Sequence, residues 1–104
     1  MVRYKAKPDR AGENERYIKA VFEELHRTKP ADLRYASFKL GDGVSFVHIA
    51  LIETADDSNP LTQSAAFKAF VAGIKDRCDE QPVTSELTEI GSYGFLETTS
   101  DGGR

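Results

Sequence analysis

Asp42-Gly43 stands between two runs of strand-forming residues, 33–41 and 44–53, and constrains the fold of this 104-residue chain more tightly than any other feature. Asp-Gly is the dipeptide that most readily supplies the two positive φ angles of a type I′ hairpin turn. Register follows directly. With Asp42 and Gly43 as the loop, Gly41 faces Val44, Phe38 faces Val47, Ser37 faces His48, Ala36 faces Ile49 and Tyr35 faces Ala50. Side chains alternate between the faces of a strand, so two sets separate. One is uniformly apolar: Ala36, Phe38, Leu40, Val47, Ile49 and Leu51. The other is mixed: Leu33, Tyr35, Ser37, Lys39, Val44, Phe46, His48, Ala50 and Ile52. The uniform set is expected beneath helices and the mixed set on the uncovered side.

The remaining segments supply the helices. Residues 1–7 alternate Val2, Tyr4 and Ala6 with Arg3, Lys5 and Lys7 and read as a strand. Ile18, Val21, Phe22 and Leu25 recur at helical spacing, which predicts an amphipathic helix over residues 10–28, capped by Asp9 and ended before Pro30. Phe67, Phe70, Val71, Ile74 and Cys78 predict a second helix, from Asn59 as cap and Pro60 in the first turn to about Asp79, with Gly73 marking close packing. Residues 83–93 read as a last, β-branched strand, and 98–104 as a loose glycine-rich tail. The order βαββαβ predicts an α+β, ferredoxin-like domain over residues 1–97, a four-stranded antiparallel sheet with both helices on one face. The other face, carrying Phe46, Ala50 and Ile52, is apolar enough to predict a homodimer through it.

Composition narrows the functional classes. Fourteen basic and 17 acidic residues leave a formal charge of −3, a poor starting point for nucleic-acid binding. No stretch nears the ~18 apolar residues of a spanning helix, and residues 1–5 lack the apolar run of a secretory signal, so the expectation is a cytoplasmic protein without membrane contact. The lone Cys78 has no partner for a disulfide and reads as a small buried hydrophobe. Asp56, Asp57 and Asn59 lack the glycine and distal glutamate of a calcium loop, and no other metal-ligand spacing occurs, so no metal is expected.

The run from Val2 to Pro8 leading into a Glu-rich helix, the strand Phe46-Val47-His48-Ile49-Ala50 and the helix segment Ala66-Phe67-Lys68-Ala69-Phe70 together resemble the antibiotic-biosynthesis-monooxygenase-like proteins over residues 1–93. The resemblance implies a dimeric α+β barrel, two sheets packed face to face, with small-molecule pockets between each sheet and its helices. It also implies one of two activities: oxidation of polycyclic phenols or quinols by O₂ without a cofactor, or haem degradation. The haem-degrading branch carries a histidine on its second helix, whereas residues 60–79 contain none, and the tryptophan often used by the oxygenases is absent. The expectation is therefore a cofactor-independent reaction on a small aromatic or quinol-type metabolite.

Such chemistry needs a base to form an electron-rich phenolate or enolate in an apolar site. His48, with an ordinary pKa near 6.5, is the candidate base, with Tyr35 and Ser37 to orient it. The expected register places it on the barrel side, away from the helix-side pockets. Tyr4 and Arg34 are the polar members of the set expected to face the helices, placed to hold a phenolate or carboxylate, and Phe67 and Phe70 to line a flat aromatic pocket. Two other readings compete. A non-catalytic dimer uses the same pocket to bind a hydrophobic small molecule. An RNA-recognition domain shares the βαββαβ order, but Asp42 and Val44 occupy positions where its third-strand signature wants a basic and an aromatic residue, leaving only Phe46 to stack a base.

Overall fold

A computed structural model describes residues 1–53 and 59–95. The elements run β1 (Val2–Ala6), a 3₁₀ turn (Pro8–Arg10), α1 (Ala11–Thr28), β2 (Leu33–Lys39), β3 (Ser45–Ile52), α2 (Ala65–Ala72), α3 (Ile74–Arg77) and β4 (Cys78–Thr84). The four strands form one antiparallel sheet in the order β2-β3-β1-β4. The α+β class expected from the sequence is thus found.

The hairpin register is the expected one, from Leu33 opposite Ile52 to Lys39 opposite Phe46. The turn differs. Of its two residues only Gly43 has positive φ, at 78°, because the Asp42 side chain closes the loop instead. Its carboxylate accepts from the amides of Val44 and Ser45 at 3.0 and 2.8 Å and from the Ser45 hydroxyl, and these bonds hold its pKa down to about 2.

The two faces of the sheet are exchanged relative to the expectation. The mixed set faces the helices: Tyr4, Phe46 and His48 are buried, with Leu33, Tyr35 and Ala50 packed against the same core. Phe46 is therefore not on an open surface, which removes the stacking position that an RNA-binding reading required. The uniform set, Ala36, Phe38, Val47, Ile49 and Leu51, lies on the uncovered side with Arg34. Binary pattern did not decide between two faces that are both largely apolar. Within the mixed set Tyr35 and Ser37 bond to His48, Tyr4 on β1 meets the histidine's other nitrogen and Phe22 on α1 stacks on Tyr35, and that pairing selects the set for burial.

α1 forms as its spacing predicts, but Asp9 lies in the preceding 3₁₀ turn and Arg10 occupies the cap position, its side chain bonded to Glu13 rather than capping the helix amides. The helix ends at Lys29 in the left-handed region (φ 47°), whose amide donates to the Leu25 carbonyl. The second helix is shorter than expected. Asn59 caps only a local turn through the Leu61 amide, and α2 begins after Ser64, whose hydroxyl accepts from the Phe67 amide at 3.0 Å. Gly73 separates α2 from α3; a β-carbon there would sit 2.9 Å from Arg77 Nη1, the close packing its position foretold. β4 starts five residues before the expected strand, with Cys78 opposite Ala6 and Thr84 opposite Val2, and residues 85–95 are irregular. Antiparallel pairing with β1 overrides the propensity of residues 85–93, and the edge position of β4 accommodates Pro82. The expected acidic segment 56–58 and tail 98–104 lie outside the described residues.

Candidate functional site

β1, β2 and β3 each send polar side chains to the covered face, where they meet α1. His48, 5 % exposed, stands at the centre. Its Nε2 lies 2.8 Å from Tyr4 Oη, and its Nδ1 lies 2.7 Å from Ser37 Oγ and 2.9 Å from Tyr35 Oη. Rings frame it: the Tyr4 ring stacks at 5.4 Å between centroids and Phe70 approaches at 5.3 Å. Tyr35 is itself stacked on Phe22 at 5.2 Å and meets Phe67 edge-on. A buried polar cluster of this kind is stable only when its members satisfy one another.

The cluster continues away from the histidine. Asn14, fully buried in the first turns of α1, donates through Nδ2 to Tyr4 Oη at 2.7 Å, and its Oδ1 accepts from Arg77 Nε at 3.1 Å. Arg77, 1 % exposed, also donates to the Phe70 carbonyl at 2.7 Å, and its guanidinium lies 4.4 Å over the Tyr17 ring. Among the described residues it has no carboxylate partner. Neutral acceptors and aromatic faces hold this buried cation.

Burial shapes the protonation states. It lowers the His48 pKa to about 4, so the imidazole is neutral at neutral pH. It raises that of the Tyr4 phenol well above the usual range, against the opposing hydrogen bond from Asn14, and raises that of Tyr35 as well.

Beside this cluster lies a cavity of about 390 Å³ between the sheet and α2. Val2, Ala50, Leu61, Phe67, Phe70 and Val71 give it apolar walls, and Tyr4, Tyr35 and His48 provide its polar groups. An apolar cleft with a few convergent polar groups is the usual form of a small-molecule site. Tyr35 also borders a second hollow of about 320 Å³, walled by Phe22, Leu25 and Leu33. Among the described residues no cluster of three or more His, Cys, Asp or Glu is placed to hold a metal ion.

Six of the seven residues singled out from the sequence come together here: His48, Tyr35, Tyr4, Ser37, Phe67 and Phe70. His48 opens on the helix side, not the barrel side, because the faces are exchanged. Ser37 reaches the histidine but stands behind it, outside the cavity lining. Arg34 belongs elsewhere: it is exposed on the uncovered face, 3.9 Å from Glu53. Asn14 and Arg77 were missed, although both carried a signal. Asn14 lies four residues before Ile18 on the apolar stripe of α1, and Arg77 lies seven after Phe70 and three after Ile74 on that of the second helix. A polar residue on an apolar stripe is one that folding buries.

No protein-family model matches the chain, and neither a curated protein nor a solved structure is significantly similar to it.

Proposed function

We propose that this chain is a cofactor-independent monooxygenase-like protein of the antibiotic-biosynthesis-monooxygenase type. In this reading it is a ferredoxin-like domain that dimerises through its uncovered sheet face into an α+β barrel and takes a small aromatic or quinol-type molecule into the cavity beside His48. The element order and the strand order β2-β3-β1-β4 support the fold part of this reading. The observation that carries the functional part is the convergence of His48, Tyr4 and Tyr35 on one apolar-walled cavity.

The chemistry fits a substrate that supplies its own electrons. Oxygenation of an activated methylene, R₂CH₂ + O₂ → R₂C=O + H₂O, draws all four electrons from the substrate. It begins when a phenol or enol proton leaves, and the apolar cavity then favours electron transfer from the resulting anion to O₂. Tyr4 lines the cavity with its hydroxyl 2.8 Å from His48 Nε2, so a departing proton passes to Tyr4 as Tyr4 passes its own to the imidazole.

One observation favours the second reading, a non-catalytic binder. A histidine held near pKa 4 is a weak base at neutral pH. Oxygen-electrode assays with anthrone separate the two. Uptake that disappears in His48→Gln supports catalysis. A raised melting temperature with anthrone but no uptake supports binding alone. Absence of both uptake and a raised melting temperature overturns the small-molecule reading.

A further inference from the structure

Arginine settles the direction of the hydrogen bonds that run from Asn14 through Tyr4 to His48. A guanidinium only donates, so the atom of Asn14 facing Arg77 Nε is the carbonyl oxygen and the atom facing Tyr4 is the amide nitrogen. Tyr4 Oη therefore accepts from Asn14, and its single proton is directed to the acceptor within reach, His48 Nε2 at 2.8 Å. A neutral imidazole that accepts at Nε2 carries its proton on Nδ1. That proton points at Ser37 Oγ and Tyr35 Oη. Three protons, on Nδ1, Ser37 and Tyr35, now face only the two hydroxyl oxygens, so one donor is left over. Among the described residues these hydroxyls have no partners besides His48 and each other, and of the two only Tyr35 lines the cavity.

We propose that the chain Arg77–Asn14–Tyr4 fixes His48 as its Nδ1–H tautomer and thereby presents the Tyr35 hydroxyl to the cavity as a hydrogen-bond donor, so that the site selects molecules bearing an acceptor oxygen: a ketone, a quinone or a phenolate. Asn14 and Arg77 act as positioning residues. The buried positive charge of Arg77 at one end, without a counter-ion among the described residues, polarises each bond in the same sense. The selectivity rests on the small-molecule reading above, whereas the tautomer does not.

The test has two arms. In ¹⁵N-labelled protein, two- and three-bond correlations of the His48 ring should show a protonated Nδ1 and a bare Nε2. Asn14→Asp places an acceptor between Arg77 and Tyr4, turns the Tyr4 hydroxyl toward it, and should move the His48 proton to Nε2. A wild-type Nε2–H ring overturns the proposal even if the variant does not fold, and so does a folded variant whose tautomer is unchanged. In the second arm, 1-tetralone, which only accepts, should bind about tenfold more tightly than tetralin, which lacks polar atoms, in titration calorimetry. The preference should fall in Asn14→Asp. Equal binding overturns the donor role of Tyr35. Failure of both probes to bind alongside an Nδ1–H ring removes the small-molecule reading and leaves the relay standing.

Discussion

His48 couples the cavity to folding. Its imidazole remains neutral in the folded chain down to about pH 4, whereas in the unfolded chain it takes up a proton near 6.5. Between those values the unfolded state binds more protons, so stability falls as pH falls through the window and is independent of this group above it. A difference of roughly 2.5 pKa units corresponds to about 3 kcal/mol at most. Urea midpoints measured from pH 7 to pH 4 should decline accordingly, and His48→Gln should lose that part of the slope. An equal decline in the variant would assign the effect to other groups. Gly73 is the second residue whose role the geometry defines. Gly73→Ala brings a methyl to 2.9 Å from Arg77 Nη1, and the guanidinium is held in place by Asn14 and the Phe70 carbonyl. The expected result is a loss of about 1–2 kcal/mol, although alanine alone favours helix by up to ~1 kcal/mol. A net gain in urea denaturation would mean that Arg77 moves aside freely.

At the scale of elements, the sequence was legible wherever local chemistry decides. The Asp42-Gly43 turn gave the β2–β3 register, and Ile18, Val21, Phe22 and Leu25 gave α1. Legibility ended where tertiary partners decide. β4 begins at Cys78 because Ala6 and Lys5 offer an edge to pair with, information that no local alternation contains. The side of the sheet that the helices cover was illegible for a related reason. Ala36, Phe38, Val47, Ile49 and Leu51 are the greasier set, yet His48 is the residue buried, with Tyr35 and Ser37 half-buried beside it, because Tyr4, itself bonded to Asn14, arrives from a distant segment to complete the histidine's hydrogen bonds. The candidate site was therefore found by residue type and misplaced by face. Hydrophobicity rewards burial of either set, and polar satisfaction discriminates between them.

At the scale of the whole molecule, that exchange moves the proposed dimer surface to the greasier face. The uncovered side now carries Phe38, Val47, Ile49, Leu51 and Val83, with Arg3 and Lys5 on β1. Four strands about 4.8 Å apart and five to eight, on average about seven, residues long at about 3.3 Å each give a flat footprint of roughly 440 Å² per copy. The pair covers roughly 900 Å², just short of the ~1,000 Å² a specific interface needs. The segment after β4 supplies more apolar surface. Phe95 already stacks over Phe38 at 6.5 Å, while Ile90 and Tyr93 are 95 % and 100 % exposed, which is costly for side chains of that size in water. A second copy laid on this face would cover the sheet and bring those residues against its partner. Sedimentation equilibrium at micromolar concentration should accordingly give twice the mass of the chain. Ile49→Asp, which sets a charge in the middle of the face opposite Ala36, should give a monomer, since pairing would bury two unpartnered carboxylates. Ile90→Ser combined with Tyr93→Ser should weaken the dimer without abolishing it. Because Ile49 points away from His48, the monomeric variant should keep its His48 tautomer and its cavity, so loss of pairing and loss of the site are read separately. A wild-type monomer at these concentrations removes the barrel and leaves the helix-side cavity as a site within a single copy.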